Sequence, residues 1–106
     1  MTGSEVFLYL TTRGHRSDKP HEIEIWFVQL ANAYYIVAEK REAAHWVQNL
    51  RAQPAVHFHL SNETSRAAQA RVPDDPGLIA LIKAKMEAKY GWSDGLVVEI
   101  APASIS

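Results

Sequence analysis

Three runs of β-prone residues follow one another before any stretch of this chain carries a helical period, and that order constrains the fold more than any other feature. Val6 to Thr12 holds the apolar run Phe7, Leu8, Tyr9 and Leu10, and it stops at the polar cluster from Arg13 to Pro20. In His21 to Leu30, Ile23, Ile25 and Phe27 alternate with Glu22, Glu24 and Trp26, the two-residue period of a strand with one buried face. Ala31-Asn32-Ala33 suits a hairpin turn, and Tyr34 to Ala38 reads as a third strand. Links this short join antiparallel neighbours, because a parallel pair needs a crossover of roughly a dozen residues or more.

From Arg41 the period changes. Ala43, Val47 and Leu50 recur three or four residues apart with Trp46 beside them, and Pro54 ends a short amphipathic helix. Ala55 to Leu60 returns to alternation, with Val56, Phe58 and Leu60 opposite His57 and His59. Ser61 to Ser65 supplies a polar turn, and Arg66 to Val72 a strand of mostly small residues. After Pro73-Asp74-Asp75-Pro76, the apolar positions Leu78, Ile82 and Met86 mark a second helix that runs to about Tyr90 and is stopped by Gly91. Gly95 to Ile100 is a last apolar strand. Six strands, each with a face to bury, close most economically into a small barrel, so the expectation is one mainly β domain over residues 1–106: a six-stranded antiparallel split β-barrel with two short helices. The βαβ regularity of a Rossmann fold is missing.

The formal net charge of -1 argues against general nucleic-acid binding, which needs a strong positive excess. Cysteine is absent, which removes disulfides, thiolate nucleophiles and Cys-based metal or iron–sulfur sites, so any redox chemistry falls to a bound cofactor. Met1 to Glu5 is short and polar, unlike a signal peptide. No stretch approaches the roughly 20 apolar residues of a membrane span. The expected location is the cytoplasm.

The loop Thr11 to His21 gathers Arg13, Arg16 and Lys19, two histidines and three hydroxyls around Gly14. Such a loop can wrap a phosphate through charge-assisted hydrogen bonds; a solvated hairpin loop is the plainer reading. His57 and His59 share a strand face without a third ligand at suitable spacing, so no metal site is assigned. His45, beside Trp46, either lines a pocket or covers the barrel rim. No G-x-S-x-G elbow supports a serine hydrolase. Trp26, Trp46, Tyr90 and Trp92 read as barrel-closing aromatics.

The stretch Leu10-Thr11-Thr12-Arg13-Gly14-His15-Arg16-Ser17-Asp18-Lys19-Pro20, the helix end Trp46-Val47-Gln48-Asn49-Leu50-Arg51-Ala52-Gln53-Pro54-Ala55-Val56, Ala70-Arg71-Val72 and the tail Lys89-Tyr90-Gly91-Trp92 into Leu96-Val97-Val98 keep their order over nearly the whole chain. In these the sequence resembles the deazaflavin (coenzyme F-420)-dependent nitroreductase and quinone reductase family. The resemblance implies a phosphate anchor at Arg16 with Arg13, Gly14, His15 and Ser17 around it, and Lys19 beside the cofactor's acidic tail. It implies a ring site over Glu24, Ile25 and Trp26, enclosed by Ala38-Glu39-Lys40 and Ala44-His45-Trp46. Asp18, His15, His21 and Glu39 depart from the family pattern, which has a glycine at the first, basic residues at the next two and a small hydroxyl residue at the last. The implied activity is hydride transfer from reduced F-420 to a quinone, nitro compound or enone, in a groove between two protomers of a homodimer. No catalytic residue is assigned; Tyr90, His45 or water are the proton sources in view. FMN in the same fold, or a non-enzymatic module for a cofactor, haem or small ligand, are the alternatives.

Overall fold

A computed structural model of the chain describes residues 7–14, 19–61 and 63–103. Six strands, β1 (Phe7–Arg13), β2 (Pro20–Leu30), β3 (Ala33–Ala38), β4 (Ala55–Leu60), β5 (Arg66–Arg71) and β6 (Leu96–Pro102), form a closed barrel in the order β1-β2-β3-β6-β5-β4. Every neighbouring pair is antiparallel. Helix α1 (His45–Ala52) lies between β3 and β4, and α2 (Pro76–Tyr90) between β5 and β6. The expected barrel is therefore present, with boundaries shifted by one or two residues at most strands. The helix expected from Arg41 is corrected: Arg41–Ala43 is a separate 3-10 turn, and Ala44, in an extended conformation at ψ 132, breaks it from α1. The hairpin between β2 and β3 needs only Ala31 and Asn32, with Ala31 at φ 55.

The two faces of the sheet explain the burial. Inside, Leu8, Leu10, Phe27, Tyr34, Ile36, Val56, Phe58, Val98 and Ile100 form the main core, and Leu50 and Trp46 of α1 close one end of it. Outside, Val28, Tyr35, Val37 and Val97 pack under Ile82 and Met86 of α2. Val28 and Trp26 point away from the barrel yet are covered, so the outer face of β2 is charged only in its first half. Asp75 caps α2 by accepting from the backbone of Gly77 at 2.9 Å and of Leu78 at 3.4 Å, Pro76 opens it, and Gly91 at φ 74 ends it.

β2 changes partners midway. Pro20 to Trp26 pair with β1, and Phe27 to Leu30 pair with β3. Continued past Phe27 and Ile36, the second ladder would set Trp26 against Val37 and Ile25 against Ala38; instead β3 stays with β6, as Ala38 opposite Leu96 marks, and the two strands part. At the junction the Tyr90 hydroxyl donates to the Phe27 carbonyl at 2.9 Å and accepts from the Phe27 N–H at 3.1 Å, while Lys89 Nζ donates to the same carbonyl at 3.0 Å. α2 thereby satisfies backbone groups that β1, ending its ladder opposite Trp26, leaves over.

Gly95 sits where β6 approaches that parting. A Cβ there would land against the Ala38 carbonyl oxygen and 2.7 Å from Val37 Cγ1. Gly95→Ala is expected to cost about 1–3 kcal/mol, the usual range for overpacking, measured by urea unfolding. Across β3, β6 and β5, the Tyr35 hydroxyl donates to Glu99 Oε2 at 2.7 Å and Arg71 Nε donates to Glu99 Oε1 at 2.6 Å. Burial and the bond to Glu99 push the Tyr35 phenol up to about 12. Burial works to raise the Glu99 carboxyl, but the bonds from Arg71 and Tyr35 outweigh it and hold it below its ordinary value. A carboxyl held low stabilises the fold above its unfolded pKa and loses that contribution as the pH falls through the folded value. Unfolding measured from pH 7 downward should show Glu99→Gln less stable than the wild type at neutrality and the difference closing in acid.

Candidate functional site

The parting of β2 from β3 opens a groove. Its volume is about 720 Å³, and its lining joins Glu24, Ile25 and Trp26 of β2 to Val37 and Ala38 of β3, to the turn residues Glu39, Lys40, Ala43 and Ala44, and to His45 and Trp46 of α1. Phe7 and Trp92 complete the lining. A second pocket of about 580 Å³ adjoins it, lined by His21, Glu22, Ile23, His45, Trp46, Gln48 and Asn49. His45 and Trp46 belong to both, so the two run on from each other along β2.

Nine residues expected on other grounds to enclose a ring, Glu24, Ile25, Trp26, Ala38, Glu39, Lys40, Ala44, His45 and Trp46, thus share one groove. The basic loop lies at the far end of β2. Its base is fixed: Arg13 pairs with Pro20, and the Gly14 N–H donates to the Lys19 carbonyl at 2.8 Å. His15, Arg16 and Ser17 lie outside the described residues. Arg13 and Lys19 are exposed, and Gly14 is buried.

Beneath the loop, Asn49 Nδ2 donates to Thr12 Oγ1 at 3.2 Å, and both side chains are buried. This bond ties α1 to the end of β1 that feeds the loop, so groove wall and loop base are held in one frame. In the sequence Asn49 stands within the stretch Trp46 to Val56 with nothing to mark its partner; thirty-seven positions separate it from Thr12, and only the barrel brings them together. Phe7, Val37, Ala43 and Trp92 were likewise not assigned to the site. Of these only Trp92 carried a signal, as one of a set of large aromatics.

Two expectations change. Tyr90 is removed as a proton source: its hydroxyl is engaged with both backbone groups of Phe27, and it does not line the groove. Its ring instead stacks on Trp26 at 4.5 Å between centroids, with Trp92 edge-on to Trp26 at 6.2 Å. The aromatic residues therefore both close the barrel and build the groove end. His59 stacks on Tyr9 at 4.9 Å and lies 3.2 Å from Glu22; among the described residues no group of three or more His, Cys, Asp or Glu is arranged to hold a metal. Tyr9 donates to Glu24 Oε2 at 2.8 Å, which fixes a groove carboxylate from the outer sheet face and raises the Tyr9 phenol above its ordinary value.

A closed six-stranded antiparallel barrel with a groove at the divergence of two strands defines the split-barrel class of protein. Within that class the chain belongs to the F420H(2)-dependent quinone reductase family, whose profile matches residues 1–92, and coenzyme F-420 is that family's cofactor. Solved structures share the fold. The haem storage protein HutZ of Vibrio cholerae superposes with a TM-score of 0.78 at 19% identity, over 96% of this chain and 84% of that one. An F420 reductase gives 0.66 at 16% identity, over 96% and 90%, and the F420-H2 dependent reductase FDR-A gives 0.64 at 21%, over 92% and 99%. No curated protein sequence matches. No helix among the described residues is long and apolar enough to cross a membrane.

The Thr12–Asn49 bond should behave as a coupled pair. Thr12→Val or Asn49→Leu alone removes this buried hydrogen bond and is expected to cost about 1–3 kcal/mol. The double variant should lose less than the sum, as a double-mutant cycle by chemical unfolding would read.

Proposed function

We propose that this chain is a deazaflavin-dependent oxidoreductase that holds the cofactor's ring in the groove along β2 and its phosphate at the loop between β1 and β2. The acceptor is a quinone, nitro compound or enone stacked in the same groove. The observation that carries this reading is the convergence of three separate segments, Glu24–Trp26, Ala38–Lys40 and Ala44–Trp46, on one groove. The residues present fit such a ring. A volume of about 720 Å³ lies within the range of small-molecule sites, and the lining alternates flat indoles and aliphatic groups with alanines too small to obstruct a planar ligand.

When bound, the deazaflavin supplies the hydride. The protein's part is position and electrostatics. Ile25 and Trp26 offer the strand-side surface, and Ala38, Ala43 and Ala44 offer the clearance opposite. Trp46, anchored on the barrel core, keeps water from one side. His45 is the histidine of the groove lining, and with Tyr90 engaged elsewhere it or a water delivers the proton that follows the hydride. Arg16 is the phosphate anchor by matched position, with Arg13, Gly14, His15, Ser17 and Lys19 around it. The reading carries a cytoplasmic homodimer with it, the second copy covering the groove's solvent side; light scattering should give twice 11.9 kDa rather than that mass.

Calorimetry with F-420 and FMN tests the assignment. F-420 should bind below millimolar and tighter than FMN, and Arg16→Ala should weaken it by about 1.5–3 kcal/mol, the worth of a hydrogen bond to a charged group, while His57→Ala leaves it unchanged. Tighter FMN binding would replace deazaflavin with flavin. Binding of neither below millimolar would favour a non-enzymatic module for a cofactor, haem or small ligand.

A further inference from the structure

We infer that the groove selects a planar organic cation as a hydride acceptor, a class beyond the neutral acceptors named above. The inference rests on the proposed function for the source of the hydride, while the selection itself is read from the lining.

All three tryptophans of the chain, Trp26, Trp46 and Trp92, line this one groove, and Phe7 joins them. They come from β2, from α1 and from the segment between α2 and β6, so the fold and not chain proximity gathers them. The face of an aromatic ring is negative, and indole attracts a cation most strongly of the aromatic side chains. Two carboxylates stand in the same lining, Glu24 and Glu39. Tyr9 donates to Glu24 Oε2 at 2.8 Å, which takes one acceptor position of a carboxylate that has about four and leaves its charge in place.

Fixed cations do not cancel this pair. Arg41, two residues after Glu39, is paired with Asp94 at 3.0 Å, and Arg51 is paired with Glu42 at 3.5 Å. Lys40 is the one lysine or arginine among the described lining residues. The adjoining pocket adds Glu22 and neither lysine nor arginine. A flat cation thus meets indoles and carboxylates in one hollow, where a neutral ring of the same shape gains only the apolar contact.

The chemistry suits such an acceptor. A quinone, nitro group or enone takes up a proton along with the hydride, and the Tyr90 hydroxyl is engaged with Phe27. A cationic heteroaromatic ring needs no proton. The C–H bond of the reduced deazaflavin breaks, its electron pair and hydrogen form a C–H bond on the electron-poor ring, and that ring becomes a neutral dihydro compound. The cofactor is oxidised by two electrons, the cation is reduced by two, and the cofactor's remaining proton leaves to water. The neutral product loses the attraction that held the substrate, which favours its release.

The test titrates the wild-type chain with N-methylacridinium and with acridine, its neutral counterpart at pH 7.5, following ligand fluorescence. The cation should bind about tenfold tighter than acridine. That preference should shrink in E24Q/E39Q and persist in E63Q, a site outside the groove. Reduced F-420 should then convert the bound cation to N-methylacridan, seen as loss of the acridinium absorbance. Equal binding of the two rings, a preference unchanged in E24Q/E39Q, or no conversion by a chain that binds both F-420 and the cation would each overturn the inference. The selectivity is read without cofactor, so a failure of F-420 to bind rejects the proposed function, and the acceptor role with it, while the preference for a cation is scored separately.

Discussion

The structure depends on the point where β2 leaves β3. β2 is eleven residues long, and it spends its first half on β1 and its second on β3. A strand that kept both neighbours throughout would give a sealed barrel with no room for a ligand. Because the ladder ends at Phe27 and Ile36, Glu24 to Trp26 face Val37 to Lys40 across a space rather than across hydrogen bonds. Three features hold the parting in place: Gly95 lets β6 press close behind Ala38, Tyr90 and Lys89 take up the backbone of Phe27, and the Trp46 and Leu50 side of α1 seals the barrel end.

How much of this was legible in the sequence follows from which interactions are local. The strands were readable because alternation in β2 and β4 and the unbroken apolar run of β3 are properties of neighbouring residues. The run in β3 has a tertiary cause that its residues already express: Tyr34 and Ile36 face the core while Tyr35 and Val37 face α2, so both faces need apolar side chains. The break at Ala44 was not legible. Alanine favours helix by propensity, and its extended conformation is imposed where the chain turns from β3 onto α1. The groove-lining segments were reached through resemblance, since nothing in Ala38-Glu39-Lys40 announces a pocket. Phe7, Val37 and the Thr12–Asn49 bond were invisible, because each acquires its role from a partner many residues away.

The charges of the site are mixed in sign. The groove carries Glu24 and Glu39 against Lys40, and its continuation carries Glu22 between histidines. On the proposed reading, an anionic cofactor lying along β2 would meet carboxylates that Tyr9 and His59 hold from the outer face. Binding would then rely on the loop base and on apolar contact with the ring. The outer face of β1, β2 and β4 is in this sense part of the site, although it lies on the other side of the sheet.

The central claim is that one cofactor lies along β2 with its ring in the split and its phosphate at the loop. Backbone amide shifts on titration with F-420 test it most directly. The account predicts the largest changes at Glu24–Trp26, Ala38–Lys40 and Ala44–Trp46 together with Gly14 and Lys19, and little change at His57 or along the solvent side of α2. Shifts confined to β4 or α2, with the segments flanking the split unmoved, would contradict it.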